Sequence, residues 1–505
     1  MGEETKIPLL LEKEYYEDCP GCKIEKIKNT QEGLPLKTLA GVWVIVLCNA
    51  LPISSLFPFL YFMVRDFHIA KEEADVGYYA GFVGCSFMLG RALTSVLWGM
   101  IADRYGRKPV IIFGTASLVV FNTLFGLSTN FWMAITTRFL LGSFNGLLGP
   151  VKAYISEICR EEHQATGMSV ITTAWGIGLV IGPALGGLLA QPAEKYPGIF
   201  SEDSLFGRFP YFLPCLITSI FAALVTVGAF WLPESLHKHK PTQSSEYDSY
   251  EAEEAAIWTS DDKLTKAEFD ESTFLPRKSL YKNWPLMSSI IVYCVFSLHD
   301  MAYTEVFSLW AVSPRNLGGL SYSTQDVGTI LSITGVGMLI FQLFLYPQID
   351  KIFGQVMIVR LCGMLSIPLL QCYPFIALLS GLSLAVVLNS ASVVKNIIST
   401  CIITSSFILQ NRAVDQDQRG AANGISMTTM SLFKAVGPAC GGALLSWSEK
   451  RQDTSFLPGT HMIFFLLNMV SVVGVVLTFK PFLVERQGDH HSKFPSRIVA
   501  SSESL

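Results

Sequence analysis

Charge is what this sequence has least of. Only 15% of its 505 residues are Asp, Glu, Lys or Arg, against 50% hydrophobic, and the mean hydropathy is +0.41. A soluble chain of this size carries about 25% charged residues, so the composition excludes a water-soluble globular domain and points to a polytopic membrane protein. A basic domain is also missing. The 37 Lys and Arg are outnumbered by 41 Asp and Glu, for a net charge of -4, which argues against nucleic acid as a partner. There is no nucleophile elbow, phosphate-binding loop or zinc-protease helix, so no enzyme is expected. Eleven cysteines are present, but Cys48, Cys85, Cys215, Cys294, Cys362, Cys372, Cys401 and Cys440 fall inside apolar runs, where a thiol behaves as a small hydrophobe. An odd count without clustering offers no disulfide framework.

What is abundant is apolar length. A bilayer core of roughly 30 Å takes about 20 apolar residues per helix, and such runs lie near 38–62, 76–101, 109–128, 131–155, 167–190, 209–232, 285–312, 327–348, 355–377, 381–409, 421–447 and 460–484. That is six runs, a break and six more. The first 37 residues are polar and mixed in charge, and the run from Thr38 is long enough to span, so it is expected to stay as helix one rather than be removed as a leader. The break, with SSEYDSYEAEEAAIWTSDDKLTKAEFDEST in it, is too acidic and too poor in large apolar residues to fold alone. The expected organisation is a tail (1–37), a six-helix bundle (38–232), a disordered linker (233–283), a second bundle (284–484) and a tail (485–505). An even helix count puts both tails and the linker on one face. Lys23, Lys26, Lys28 and Lys37, with Lys238, Lys240, Arg277, Lys278 and Lys282 around the linker, place that face in the cytosol.

The halves repeat one another. GPALGG at 182–187 returns as GPACGG at 437–442, and Asp103-Arg104 has an echo in Asp350-Lys351, as expected of transporters built from two pseudo-symmetric bundles with a substrate site near the midplane. The first copy ends SVITTAWGIGLVIGPALGG (169–187). Each interior Gly costs about 1 kcal/mol and Pro about 3 in a water-exposed helix; in a bilayer small residues four apart let helix backbones meet, and a Pro is accommodated by neighbouring groups. Ser169, Gly178, Gly182, Pro183, Gly186 and Gly187 have the spacing S-x8-G-x3-G-P-x2-G-G. After helix two, WGMIADRYGRKP (98–109) combines Gly99, expected to permit close helix contact, and Asp103, expected to accept from a helix N-terminus, with Arg104, Gly106, Arg107 and Lys108 on a tight turn.

Charges inside the apolar runs mark function by default, because each is costly there. Arg138 lies about seven residues into helix four, where it serves either proton transfer or as a snorkelling helix end. Helix seven, VFSLHDMAYTEVFSLW, holds His299, Asp300 and Glu305; Lys395 and Lys434 lie in helices ten and eleven. Desolvation raises a carboxyl pKa towards neutrality and imidazole titrates near it, so Asp300, Glu305 and His299 are the proton-coupling candidates. The alternative is a buried ion pair of Asp300 or Glu305 with Lys395 or Lys434. Helix one has Asn49 and no acidic residue, consistent with a pocket wall. Cys19 and Cys22 (CPGC) and His237 and His239 could together supply four zinc ligands.

The 169–187 spacing resembles the antiporter signature of proton-coupled exchangers of the major facilitator superfamily, and 99–108 resembles that superfamily's G-x3-D-R-x-G-R-K loop. With Cys19-Pro20-Gly21-Cys22 and Pro233-Glu234-Ser235-Leu236-His237, the chain looks like a plant zinc-induced facilitator-like transporter. The resemblance implies an all-α membrane protein of twelve transmembrane helices in two pseudo-symmetric six-helix bundles, in which helix five bends and seals one side of a central cavity and the loop is a charge latch. It implies a proton antiporter, monomeric in a lipid bilayer of vacuole or plasma membrane. Its cargo would be a small organic solute or its metal complex, such as nicotianamine or a phytosiderophore, in zinc and iron homeostasis. Potassium- or auxin-linked exchange, a passive facilitator and a membrane metal sensor are the alternatives. No cofactor is expected beyond zinc at the Cys and His motifs.

Overall fold

The computed structural model describes residues 16, 19–30, 33–160, 163–236, 280–414 and 419–484. Most of the expected linker, including His237 and His239, and the tail from 485 onward lie outside them. Helices follow in the order α1 (Pro20–Thr30), α2 (Leu36–Ser54), α3 (Leu60–Asp66), α4 (Val76–Tyr105), α5 (Arg107–Gly126), α6 (Phe131–Phe144), α7 (Leu148–Ile158), α8 (Gln164–Leu189) and α9 (Pro192–Lys195). The short α10 (Leu205–Arg208) and α11 (Phe212–Ala229) complete the first half of the sequence. The second half holds α12 (Trp284–Val312), α13 (Thr324–Ile340), α14 (Tyr346–Phe353), α15 (Gln355–Ile376), α16 (Gly381–Arg412), α17 (Arg419–Glu449) and α18 (Thr460–Leu477).

Among the described residues, nine helices are long and apolar enough to cross a membrane. The remaining expected runs depart from that criterion for local reasons. Run 131–155 breaks between α6 and α7 at Asn145, whose ψ of 62° leaves the helical range and ends α6. Run 327–348 passes from α13 through one wide π turn, Phe341–Leu345, into α14. Run 421–447 is α17, diluted by Ser, Thr, Gly and Lys434. Helix one also bends: α2 ends at Ser54 and α3 starts at Leu60, with Pro52 inside α2 and Pro58 in the gap, because proline removes a backbone donor and crowds the preceding turn.

The chain forms two compact units, residues 1–70, 86–278 and 323–335 in one and 71–85, 279–322 and 336–505 in the other. Each half of the sequence thus lends a short helical segment, 71–85 or 323–335, to the opposite unit. In the first unit α2 packs on α8 and α5 on α11. The second seam is held by Asn122, almost fully buried, whose Nδ2 lies 2.9 Å from both the Cys215 carbonyl and Thr218 Oγ1 and 3.0 Å from Ser219 Oγ. In the second unit α12 packs on α17, and α15 on α16 and α18. There Phe296 fits against Gly363 and Gly474, where a methyl would come within 3.2 and 2.7 Å of its ring. Tyr303, Phe307, Trp310, Tyr373 and Phe464 form one aromatic cluster. Leucines such as Leu93, Leu224, Leu378 and Leu382 remain exposed, which suits helices whose solvent is lipid. Both Gly106 (φ 112°) and Gly354 (φ 70°) precede the helix that follows them, so Gly354, four residues after Asp350 where Gly106 is three after Asp103, keeps the same backbone duty.

Asn122→Ala is expected to cost about 1–2 kcal/mol, the range for losing a buried interhelical hydrogen bond, seen as a lower thermal midpoint in detergent. An unchanged midpoint would mean that packing alone holds the α5–α11 seam.

Candidate transport site

Helix α8 presents its glycines to two partners. On one face Gly178, Gly182 and Gly186 meet α2: a methyl on Gly178 would lie 2.5 Å from Ala50 Cβ, and methyls on Gly182 and Gly186 would collide with Ser54 Oγ and the Ser55 carbonyl. Ser54 Oγ donates to the Gly178 carbonyl at 2.8 Å, so the seam is hydrogen-bonded as well as tight. On the other face Gly187 abuts α13, where its side chain would start 2.8 Å from Gly328 Cα, and a methyl on Gly328 would lie 2.6 Å from the Pro183 carbonyl. Ser332 Oγ donates to the Val180 carbonyl at 2.9 Å. Ser169 belongs to neither face; it is exposed, and its carbonyl accepts from the Thr172 and Thr173 hydroxyls.

Helix α17 repeats this arrangement within the second unit. Gly437 and Gly441 face α12, with methyls 3.1 Å from Met301 Cβ and 3.2 Å from the Ala302 carbonyl, while Gly442 faces α4 at 3.0 Å from Gly81 Cα. The Pro438 carbonyl occupies the place where a side chain on Gly81 would begin. The symmetry extends to a lysine 12 residues beyond each proline, Lys195 after Pro183 and Lys450 after Pro438. Lys195 Nζ donates to the Gly187 carbonyl and Thr324 Oγ1, both at 2.5 Å. Lys450 Nζ pairs instead with Asp75 at 2.6 Å and Glu72 at 3.1 Å. Burial lowers the Lys195 ammonium to about 8 although Glu194 and Asp326 act to raise it, whereas hydrogen bonds to Asp75 and Glu72 hold Lys450 above its ordinary value.

The turn between α4 and α5 corrects two expectations. Asp103 does not cap a helix; it pairs with Arg107, which also reaches Glu157 at 3.0 Å. The cap of α5 is Glu234, whose carboxylate accepts from the Arg107 and Lys108 amides at 3.0 and 3.1 Å, a favourable place for negative charge. A methyl on Gly106 would collide with that carboxylate. Ser235 Oγ donates to Glu157 at 2.5 Å, Tyr154 to the Pro233 carbonyl at 2.8 Å and Lys108 Nζ to the Phe230 carbonyl at 2.7 Å. Arg104 stays exposed over the Tyr105 ring. Among the described residues nothing lies within 4 Å of where a side chain on Gly99 would start, so close helix contact is not its role; the tight approach at this level is Gly146 against Trp98.

Arg138 is almost fully buried, between the Phe87 and Phe125 rings, 5.3 and 5.0 Å from their centroids, and donates to the Pro52 carbonyl at 3.2 Å. It is not a snorkelling end. Asn145 Nδ2 donates to Asn49 Oδ1 at 2.5 Å, which ties the break after α6 to α2. In the second unit His299 Nε2 and Ser471 Oγ are hydrogen-bonded at 3.0 Å. Lys395, 1% exposed, donates to Ser399 Oγ at 2.6 Å and stands 4.2 Å over the Tyr303 ring; no described carboxylate comes within ion-pair distance of it, so the Lys395 ion pair is not formed. Glu305, also 1% exposed, points at α4, its Oε2 3.0 Å from where a side chain on Gly84 would start. Asp300 and Lys434 are half-buried.

The profile of the major facilitator superfamily matches residues 42–388 and 301–500. The chain belongs to that superfamily. Within it, the chain is 62% identical to the Arabidopsis thaliana proteins zinc induced facilitator-like 1, over 95% of this chain and 98% of that one, and zinc induced facilitator 1, over 96% and 99%. The solved D-xylose-proton symporter, 14% identical, superposes with a TM-score of 0.64 over 89% of this chain and 98% of its own, a likeness of fold.

The Cys19-Pro20-Gly21-Cys22 motif also finds a neighbour. Cys19 and Cys22 are both buried at the start of α1, and the Gly21 amide donates to the Leu236 carbonyl at 3.2 Å, one residue before His237. Helix α1 is further held by Arg160, whose guanidinium donates to the Lys28 and Asn29 carbonyls at 2.6 and 2.9 Å. Sequence reasoning missed Glu234 as a cap, Asn145, and the lysine pair. Lys195 and Lys450 were findable from the repeat offset. Tyr303, Tyr373 and Ser471 carry no signal in the sequence, because three different helices bring them to His299 and Lys395.

Gly106→Ala is expected to be the most destabilising change at the turn, at about 2 kcal/mol or more from its left-handed φ and the Glu234 collision. Glu234→Ala should follow at about 1 kcal/mol, and Asp103→Asn should cost least; thermal midpoints in detergent test the order, and Asp103→Asn exceeding Glu234→Ala would overturn the cap assignment. For Lys195 the folded pKa lies below the unfolded one. The unfolded chain therefore binds more protons between about pH 8 and 10.5, and stability rises with pH there. The rise is well below the ceiling of about 1.4 kcal/mol per pH unit because the side chain is partly solvated. Comparing wild type with Lys195→Met from pH 7 to 10 checks it, and parallel curves would refute it.

Proposed function

We propose that this chain is a proton-coupled antiporter that moves a small organic solute, a metal chelator such as nicotianamine or its metal complex, out of the cytosol in exchange for protons. The observation that carries this reading is the two-faced α8. The four glycines of its exchange signature are packed backbone to backbone on α2 and on the first turns of α13, the packing a helix needs if it is to seal without leaking. The link to zinc rests on the names of the two relatives of 62% identity, zinc induced facilitator-like 1 and zinc induced facilitator 1. A pathway for bare Zn2+ would need several His, Cys or carboxylate ligands together, and among the described residues no group of three such side chains is placed to hold a metal.

Asp300, Glu305 and His299 are the proton carriers in this reading, with Arg138 as a fixed internal charge. The protein works as a monomer in the vacuolar or plasma membrane with its termini and linker in the cytosol. The α4–α5 turn, tied to Glu157 and Glu234, is then the cytosolic latch. Exchange itself needs no cofactor. Zinc, where it binds, is held by Cys19 and Cys22 with His237 and His239; the two buried thiols at a helix start, next to Leu236, fit half of such a site.

In vesicles carrying a pH-sensitive dye, an imposed proton gradient should drive flux on adding nicotianamine or its zinc complex, but not zinc alone, potassium or an auxin. Asp300→Asn or Glu305→Gln should abolish it. No flux with any organic solute would overturn antiport, and uptake without proton movement would leave a passive facilitator. Flux with potassium or auxin would move the cargo to those classes.

A further inference from the structure

The second unit holds a buried cation, Lys395, with no described carboxylate within ion-pair distance. Lys395 Nζ has three N–H donors; Ser399 Oγ takes one at 2.6 Å and the face of Tyr303 lies 4.2 Å away. An ammonium inside a bundle is costly unless something answers its charge, and a ring face and a hydroxyl do so only in part. Asp300 is the acidic residue whose field reaches Lys395, yet it stays beyond ion-pair distance. Tyr303 cannot turn to help, because its hydroxyl is hydrogen-bonded to that of Tyr373 at 2.7 Å.

Lys395 also opens onto a cavity. Phe296, His299, Ser366, Ser399 and Ile402 line it with Lys395, and it has room for about one water molecule. Three of these residues bring hydroxyl or imidazole groups beside the ammonium, and none brings a carboxylate. His299 and Ser366 are both tied back to Ser471, at 3.0 and 3.2 Å, so the polar wall is fixed before any ligand arrives. Space for one water is space for one oxygen of an oxyanion, and a carboxylate is the smallest such group that an organic solute commonly carries.

We infer that Lys395, with Ser399 and His299, is an anion subsite that takes one carboxylate group of the transported solute. This rests on the proposed reading that the cargo is an organic solute, and it makes that solute a carboxylic acid. The Lys395 ammonium forms the ion pair, Ser399 holds the ammonium in place, and the Tyr303 face keeps it desolvated.

The test uses the purified full chain in detergent and measures binding of nicotianamine, citrate and indole-3-acetate, each against its methyl ester, with chloride as a further probe. At least one free acid is expected to bind wild type at least about tenfold more tightly than its ester. Lys395→Met should remove that preference, Lys395→Arg should keep it within about threefold, and Ser399→Ala should fall between. The inference is overturned if no free acid binds, if esters bind as well as acids, if only chloride binds, or if folded Lys395→Met keeps wild-type affinity. Should Lys395→Met not fold, ester discrimination and Lys395→Arg decide. Nicotianamine exchange undiminished in Lys395→Met would sink the subsite and leave antiport standing. A carboxylate bound through Lys395 that drives no proton flux would do the reverse.

Discussion

Backbone approaching backbone is the constraint on which this molecule depends. Gly178, Gly182 and Gly186 let α8 reach α2 where side chains would collide, and Gly187 lets it reach Gly328 on α13. Lipid offers no hydrophobic drive to bring helices together, so close van der Waals contact and hydrogen bonds between helices must supply it; the Ser54 and Ser332 hydroxyls bonded to α8 carbonyls are the second of these. The same solution recurs at α17 with Gly437, Gly441 and Gly442. Glycine and proline that would weaken a helix in water are here what allows it to serve two neighbours.

Charge is used sparingly and in three ways. At the α4–α5 turn it is local: Arg107, Asp103, Glu157 and Glu234 bind one another and the start of α5, and Gly106 is needed both for its backbone angle and for the space that Glu234 occupies. Beyond α8 and α17 the repeat places two lysines alike and gives them different partners, neutral oxygens for Lys195 and two carboxylates for Lys450. Duplication thus preserved the position and changed the chemistry. In the interior, Arg138 is answered by aromatic faces and a carbonyl, and Lys395 by one ring and one hydroxyl. The asymmetry between these two buried cations is what singles out Lys395 as a place for a ligand.

The sequence by itself determined the class of molecule, the helical runs, the duplication and the identity of the glycine helix, because each rests on composition or on spacing along one chain. Apolar length and a repeated GP-x2-GG need no partner to be legible. Tertiary structure alone decided what those residues touch. Asp103, read as a cap, pairs with Arg107 while Glu234 arrives from the far end of the first half to cap α5. Gly99, read as a contact, meets nothing among the described residues, and the assignment of 71–85 and 323–335 to the two units has no signature in either segment. His299, Ser471, Lys395 and Tyr303 become one site only where α12, α16 and α18 meet. Spacing within a helix shows which residues share a face, whereas the partner of that face is chosen by packing between segments far apart in the chain.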